Sequence, residues 1–351
     1  MPYPLDSITR RPAPITTLIA GFVAAAGLSL TLFGASPVQA ADCANQGDLD
    51  EQYCDANKDL VADLPTDPSK LKDPSTIVFT YTPVEDPAVY AKIFDPFTKH
   101  LAQCSGKKVV FFQVQSNAAE IEAMRSGRLH VGGFSTGPTA FAVNVAGAIP
   151  FAVKGTEKEY QGYNLIVIVK KDSAFKTLAD LKGKRVAHTA PSSNSGHMAP
   201  MALFPNEGLA PEKDYKVLFS GKHDQSVMGV NGGDYDAAAV ASDVFERMAH
   251  RGQVKEEDFR IIYRSPKFPT SSFAIAHDLK PELSKKILTC FYDYRFPKEM
   301  QEAFAGADRF FPIEYKKDWE VVRKVSEAAG QSFNRKNYET EAAKEAAKKK
   351  K

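Results

Sequence analysis

The sequence predicts an α/β protein of two lobes with a ligand cleft between them. Strand-like apolar runs alternate with helical patterns, the order that builds sheets flanked by helices. The alternation begins near Ile77 and begins again near Tyr163, in a chain whose 351 residues exceed the usual size of one domain. Two strand ends also run into hydroxyl-rich helix starts, Pro191-Ser192-Ser193-Asn194-Ser195-Gly196-His197 and Phe134-Ser135-Thr136-Gly137-Pro138. A helix N-terminus presents unpaired N–H groups and the positive end of its dipole, so two such starts facing one another favour a small oxyanion held between lobes. Simple capping by Ser193 or Asn194 is the alternative for the first of them.

Residues 1–40 read as an export signal. Arg10 and Arg11 precede an apolar run over 18–33, and Val38-Gln39-Ala40 makes a small-residue cleavage site. Gly21 and Gly27 interrupt the run, which favours a removed signal over a permanent membrane anchor. Pro12-Ala13-Pro14 lacks the large apolar residues expected after a twin-arginine pair, which favours the general secretory route. Residues 41–75, rich in Asp, Asn, Lys and Pro, form a tied-down extension.

Lobe 1 is expected to combine 76–165 with 266–335. Its strands fall over 77–81, 109–112 and 129–134 and its helices over 88–101, 118–124 and 139–143, with Val89, Ile93, Phe97 and Leu101 at fourfold spacing and Pro96 as a kink site. Helical patterns over 283–292 and 319–328 complete it. Lobe 2, 166–265, follows from the buried-strand candidate 163–169, a short helix stopped by Gly183, and strands at Val186, 217–219, 236–240 and 261–263. The repeated strand-then-helix order favours largely parallel sheets. The charged tail, 336–351, reads as a marginal surface helix or as disorder.

Composition excludes several functions. The formal charge is +2, and losing Arg10, Arg11 and Asp6 with the signal leaves +1; basic residues are scattered, so the footprint of a nucleic-acid binder is missing. No His, Cys, Asp and Glu spacing makes a zinc site, no Gly-rich lysine loop serves nucleotide phosphates, and no cofactor is implied. Ser195-Gly196-His197 invites a hydrolase reading, but Ser193 stands where a nucleophile elbow needs glycine. Cys43, Cys54, Cys104 and Cys290 all follow the cleavage point, which suits two disulfides or free buried thiols. Of three possible pairings, Cys43 with Cys54 as a local clip and Cys104 with Cys290 as a long-range staple are favoured.

Further along, Gly221-Lys222-His223-Asp224 places His223 just beyond a strand, either as a donor to an anion or as an ordinary surface or core histidine. Asp236-Ala237-Ala238-Ala239-Val240 is a strand whose end carries Asp243, at the side of an α/β sheet where ligands bind. These segments, with Ser193-Asn194-Ser195-Gly196, Pro200 and Ser265-Pro266 in this order, resemble the phosphate/phosphite/phosphonate-binding periplasmic proteins of ABC transporters over most of residues 76–330.

The resemblance implies a periplasmic-binding-protein fold that closes on a small phosphonate, phosphite or phosphate and delivers it, as a monomer, to a membrane permease without chemistry. It implies that Ser193, Asn194 and Ser195 contact the phosphonate oxygens, that His223 adds a donor, and that Asp243 can receive the ammonium of an aminophosphonate, an exposed loop carboxylate being the alternative. Ser193-Asn194-Ser195-Gly196 replaces the usual Ser-Thr-Ser-Gly, and Asn117 stands where relatives place an aromatic residue. Ser135 and Thr136 are extra donors, and Tyr81 is either a ligand contact or a packed aromatic. The rival readings are an exported phosphoester-processing enzyme, with His223 as acid/base and a serine nucleophile, and a sensory ligand-binding module.

Overall fold

The computed structural model describes residues 43–348, and the expected export signal lies outside the described residues. The first lobe opens with β1 (Thr76–Tyr81), α1 (Pro87–Ser105), β2 (Lys108–Phe111), α2 (Asn117–Arg125), β3 (Val131–Phe134), α3 (Thr136–Ala146) and β4 (Ala148–Gly155). The second lobe holds β5 (Gly162–Lys170), β6 (Val186–His188), a wide helical turn (Asn194–Met198) leading into α4 (Ala199–Leu203), and β7 (Val217–Phe219). It continues with α5 (His223–Gly232), β8 (Ala237–Ala241), α6 (Ser242–His250) and β9 (Phe259–Pro269). The chain returns through β10 (Ser272–Ala276), α7 (Pro281–Asp293), α8 (Lys298–Ala303) and β11 (Arg309–Pro312), then ends in α9 (Tyr315–Asp318), α10 (Glu320–Ala328) and α11 (Arg335–Lys348).

The strand order is β11-β4-β10-β3-β1-β2 in the first sheet and β7-β6-β8-β5-β9 in the second. Both sheets are mixed rather than largely parallel. β1 pairs in parallel with β2 and β3, whereas β10 runs antiparallel to β3 and β4, because it re-enters the lobe from the other direction. β4, β10 and β11 escape the sequence pattern: Pro150 lies in a central strand, where it is accommodated at a register shift opposite Phe273 and Ala274. The sheets exchange chain between β4 and β5 and between β9 and β10, so divisions at 165/166 and 265/266 fall inside β5 and β9.

Aromatic packing builds the first lobe. Phe79 and Phe97 are fully buried and meet Phe94 and Phe291 edge to face, with centroids 5.3 Å apart for Phe79–Phe94 and 4.6 Å for Phe97–Phe291. Asp86 caps α1, Pro87 starts it, and Gly106 ends it at φ 70°, a left-handed position suited to glycine. The two disulfides are Cys43–Cys54 and Cys104–Cys290, the latter joining the end of α1 to α7. The extension is held to this lobe by Asp50, whose N–H donates to Asn144 O and whose carboxylate pairs with Arg335 at 2.6 Å.

The last helices do more than complete one lobe. α10 packs on α4 of the second lobe as well as on α3 of the first. The tail is an ordered helix as far as Lys348: α11 lies on α2 and α3, with Tyr338 Oη donating to Ala118 O at 3.0 Å. Near its end, Glu345 accepts from Ala118 N and from Ser192 Oγ, each at 3.3 Å, and so touches both lobes. Among the described residues no helix is long and apolar enough to cross a membrane.

Candidate ligand-binding site

Between the lobes lies a cavity of about 30 Å³, lined from the first lobe by Tyr81, Ser135 and Thr136 and from the second by Ser193, Asn194, Ser195, His223 and Asp243. Eight of the nine candidate residues are thus brought together. Asn117 lies outside, where its Nδ2 donates to Ser192 Oγ at 3.1 Å across the cleft and its Oδ1 accepts from Thr82. It borders a wider groove of about 840 Å³ with Pro191, Leu218 and Tyr235. That groove is larger, but the hydroxyl, amide and imidazole groups converge in the small cavity.

Local sequence explains the convergence. Ser135 precedes the first turn of α3, whose Thr136 is fixed on two sides: its hydroxyl donates to Pro269 O at 2.9 Å, and buried Trp319 donates to its carbonyl at 2.8 Å. On the other lobe, Ser193 Oγ accepts from Gly196 N at 3.1 Å, so the capping interaction is real and leaves the hydroxyl proton free. Ser195 Oγ and Asn194 Oδ1 are buried with no hydrogen-bond partner among the described residues. Asn194 Nδ2 donates to Tyr163 Oη at 3.1 Å. A half-turn of that amide lets Oδ1 accept from the phenol and aims Nδ2 into the cavity.

His223 begins α5, and the Ala241 N–H donates to its Nδ1 at 3.1 Å. A nitrogen that accepts carries no proton, so the neutral ring holds its hydrogen on Nε2, 3.5 Å from Ser193 Oγ. Burial lowers its pKa to about 4, which keeps it a neutral donor at neutral pH.

Sequence reasoning missed the charges behind these donors. Arg247 lines the cavity and donates to Asp243 at 2.7 Å and to Glu85 at 3.0 Å, while Arg251 donates to the other Glu85 oxygen. Glu85 precedes α1 in the first lobe, and in the second Arg247 stands on α6 and Arg251 directly follows it, so these ion pairs cross the cleft. Burial pushes both carboxyls up, but the neighbouring cations outweigh it and hold Glu85 and Asp243 below their usual range. Asp243 is therefore in the cavity, with its Oδ2 already paired with Arg247. Tyr163, Thr270 and Ser271 also line the cavity and went unread, because the chain switches lobes at their positions. The run of three hydroxyls at Thr270-Ser271-Ser272 was the one available signal.

Two mixed α/β lobes, joined by two crossings and closed on a donor-lined cavity, define a periplasmic solute-binding protein. The model of the family described as ABC transporter, phosphonate, periplasmic substrate-binding protein matches residues 79–319, and the chain belongs to that family. It is 30% identical over 249 residues to "Phosphate-import protein PhnD" of Mycolicibacterium smegmatis, covering 67% of this chain and 77% of that protein. Among solved structures, it matches a binding protein component of an ABC phosphonate transporter from Pseudomonas aeruginosa with TM-score 0.66 at 21% identity, over 79% of this chain and 98% of that one. PhnD1 from Prochlorococcus marinus in complex with methylphosphonate matches with TM-score 0.66 at 20% identity, over 74% of this chain and all of the other, which supports the fold. The chain is thus the periplasmic binding component of an ABC importer for phosphonate or a related phosphorus oxyanion, and not an enzyme.

Proposed function

We propose that the cavity between the lobes holds a single small phosphorus oxyanion, with the side chains of Tyr81, Ser135, Ser193, Asn194, Ser195 and His223 and the backbone N–H of Thr136 supplying its donors, and that the closed monomer delivers it to a membrane permease. The observation that carries this reading is His223, whose tautomer the Ala241 N–H sets so that Nε2–H is available beside the free Ser193 proton and the unpartnered Ser195 hydroxyl. A cavity as small as about 30 Å³ suits one compact anion better than a nucleotide or sugar phosphate. Three cations, Lys154, Arg247 and Arg251, stand against the carboxylates of Glu85 and Asp243, so the surroundings carry one excess positive charge to balance an anion. Neutral donors in a water-excluded cleft bind such an ion through charge-assisted hydrogen bonds.

Calorimetric titration with phosphate, phosphite and methylphosphonate tests the reading. One tight site is expected, and His223→Ala weakens it roughly tenfold or more, the loss of one charge-assisted hydrogen bond. Unchanged affinity in that variant removes His223 from the site.

A further inference from the structure

Lys154 occupies a position that none of the site's sequence motifs includes. It lies on β4 and is 1% exposed, and among the described residues it makes no ion pair. Its Nζ donates to Tyr81 Oη at 2.5 Å and sits over two rings, 5.0 Å from the Tyr81 centroid and 4.6 Å from that of Phe304. A buried ammonium with one oxygen partner is an expensive arrangement, and cation–π contacts offset only part of it. Its charge acts beyond Tyr81, since it is among the cations that hold the Asp243 carboxyl below its usual range.

The consequence falls on Tyr81, which lines the cavity. An ammonium can only donate, so Tyr81 Oη accepts from Lys154 and its phenolic proton remains to be donated elsewhere. Around the ligand, then, Tyr81 and His223 both present hydrogens, and Asp243 is engaged by Arg247. Two groups that could accept from an ammonium group on a ligand, the phenol oxygen and the aspartate, thus each already accept from a protein cation. An incoming amine would also meet the like charge of Lys154.

Resting on the oxyanion reading of the cavity, we propose that Lys154 is a specificity-determining residue: by committing Tyr81 to donation, it restricts the site to phosphorus oxyanions that carry no ammonium group, such as phosphate, phosphite and methylphosphonate. It does so from behind Tyr81, as a positioning residue.

The test is calorimetry of the purified protein and its Lys154→Met variant with methylphosphonate and 2-aminoethylphosphonate, alongside phosphate and phosphite. The wild type is expected to favour methylphosphonate over the aminophosphonate by about tenfold or more, and Lys154→Met to weaken methylphosphonate by about tenfold and narrow that gap by a similar factor. Packing alone would weaken both ligands together, so an unchanged ratio overturns the inference, as does a wild type that prefers the aminophosphonate. Tyr81→Phe keeps the cation and removes the phenol, and covers the case in which Lys154→Met does not fold. It is expected to weaken methylphosphonate severalfold without favouring the aminophosphonate, and an unchanged methylphosphonate affinity would overturn the role of the pair. A wild type that binds none of the four anions sinks the oxyanion reading itself, whereas a wild type that binds them with an unaltered ratio in Lys154→Met sinks only the inference.

Discussion

At Gly137 the two lobes meet in close contact. A Cβ built there would collide with Met198 Cε and the Ser192 carbonyl and would stand 3.0 Å from Asn194 N, all on the opposite lobe. The need is for space, not for an unusual backbone angle, because Gly137 sits in the first turn of α3 where alanine is a better helix former. Gly137→Ala should therefore leave the ligand-free melting temperature within about 2 °C of wild type, while the closed arrangement becomes scarcer. If the closed fraction falls tenfold, apparent affinity falls about tenfold with it. Calorimetry beside a thermal melt checks both halves, and wild-type affinity in Gly137→Ala would show that the lobes need not meet this closely to bind. At this scale the sequence was legible wherever a hydroxyl stood at a strand end, as in Ser135-Thr136 and Ser193-Asn194-Ser195. It was silent on Arg247, one turn into a helix after Asp243, and on Lys154, which reads as a charge interrupting an apolar run yet is 1% exposed. Burying those cations is a property of how the elements assemble, and no local spacing encodes it.

Among the elements, α2 carries a cost that pH should reveal. Glu120 on α2 is fully buried, and neither carboxyl oxygen has a hydrogen-bond partner among the described residues. Burial alone pushes its pKa well above the ordinary 4.5. The unfolded chain releases this proton near 4.5 and the folded chain only at higher pH, so the folded state is fully favoured below 4.5 and loses stability as pH rises through the raised value. Glu120→Gln cannot ionise. Its melting temperature relative to wild type should rise between pH 5 and pH 8 by at least ~2 °C, on the order of 1 kcal/mol; a difference that stays constant with pH would show that the buried carboxyl finds a partner. α11 itself illustrates what an element's sequence hides. Its Ala, Lys and Glu composition describes a helix with little apolar surface, and what fixes it is external: the Tyr338 contacts with Ala118 and Phe141 and the Arg335–Asp50 ion pair. β4 was hidden for the opposite reason, since Pro150 and Lys154 interrupt an apolar run that the neighbouring strands nevertheless accept.

Across the whole molecule, the repeat of strand-then-helix order announced two lobes, but the first lobe is made of two stretches of chain with the entire second lobe between them. The folded first lobe must therefore bring α1 and α7 together across a very long loop, and Cys104–Cys290, 186 residues apart, closes that loop covalently. On the loop-closure scale such a bridge removes roughly 5 kcal/mol of denatured-state entropy, against roughly 3 kcal/mol for the 11-residue separation of Cys43–Cys54. The staple lies among α1 and α7, and neither cysteine lines the cavity. Replacing both cysteines, Cys104→Ser with Cys290→Ser, should thus separate stability from binding. Denaturant unfolding is expected to show a loss of several kcal/mol, up to roughly 5, because serines in the buried Cys290 environment add a packing penalty while residual structure in the unfolded chain reduces the entropic share. At a temperature where the variant remains folded, calorimetry should find oxyanion affinity within about threefold of wild type, since the cleft is held by Glu85, Arg247 and Arg251 instead. A stability loss below about 1 kcal/mol would mean that the aromatic core alone assembles the split lobe. A large loss of affinity in folded protein would mean that the staple also sets the relation of α1 to the cleft, through Glu85 at its N-terminal approach.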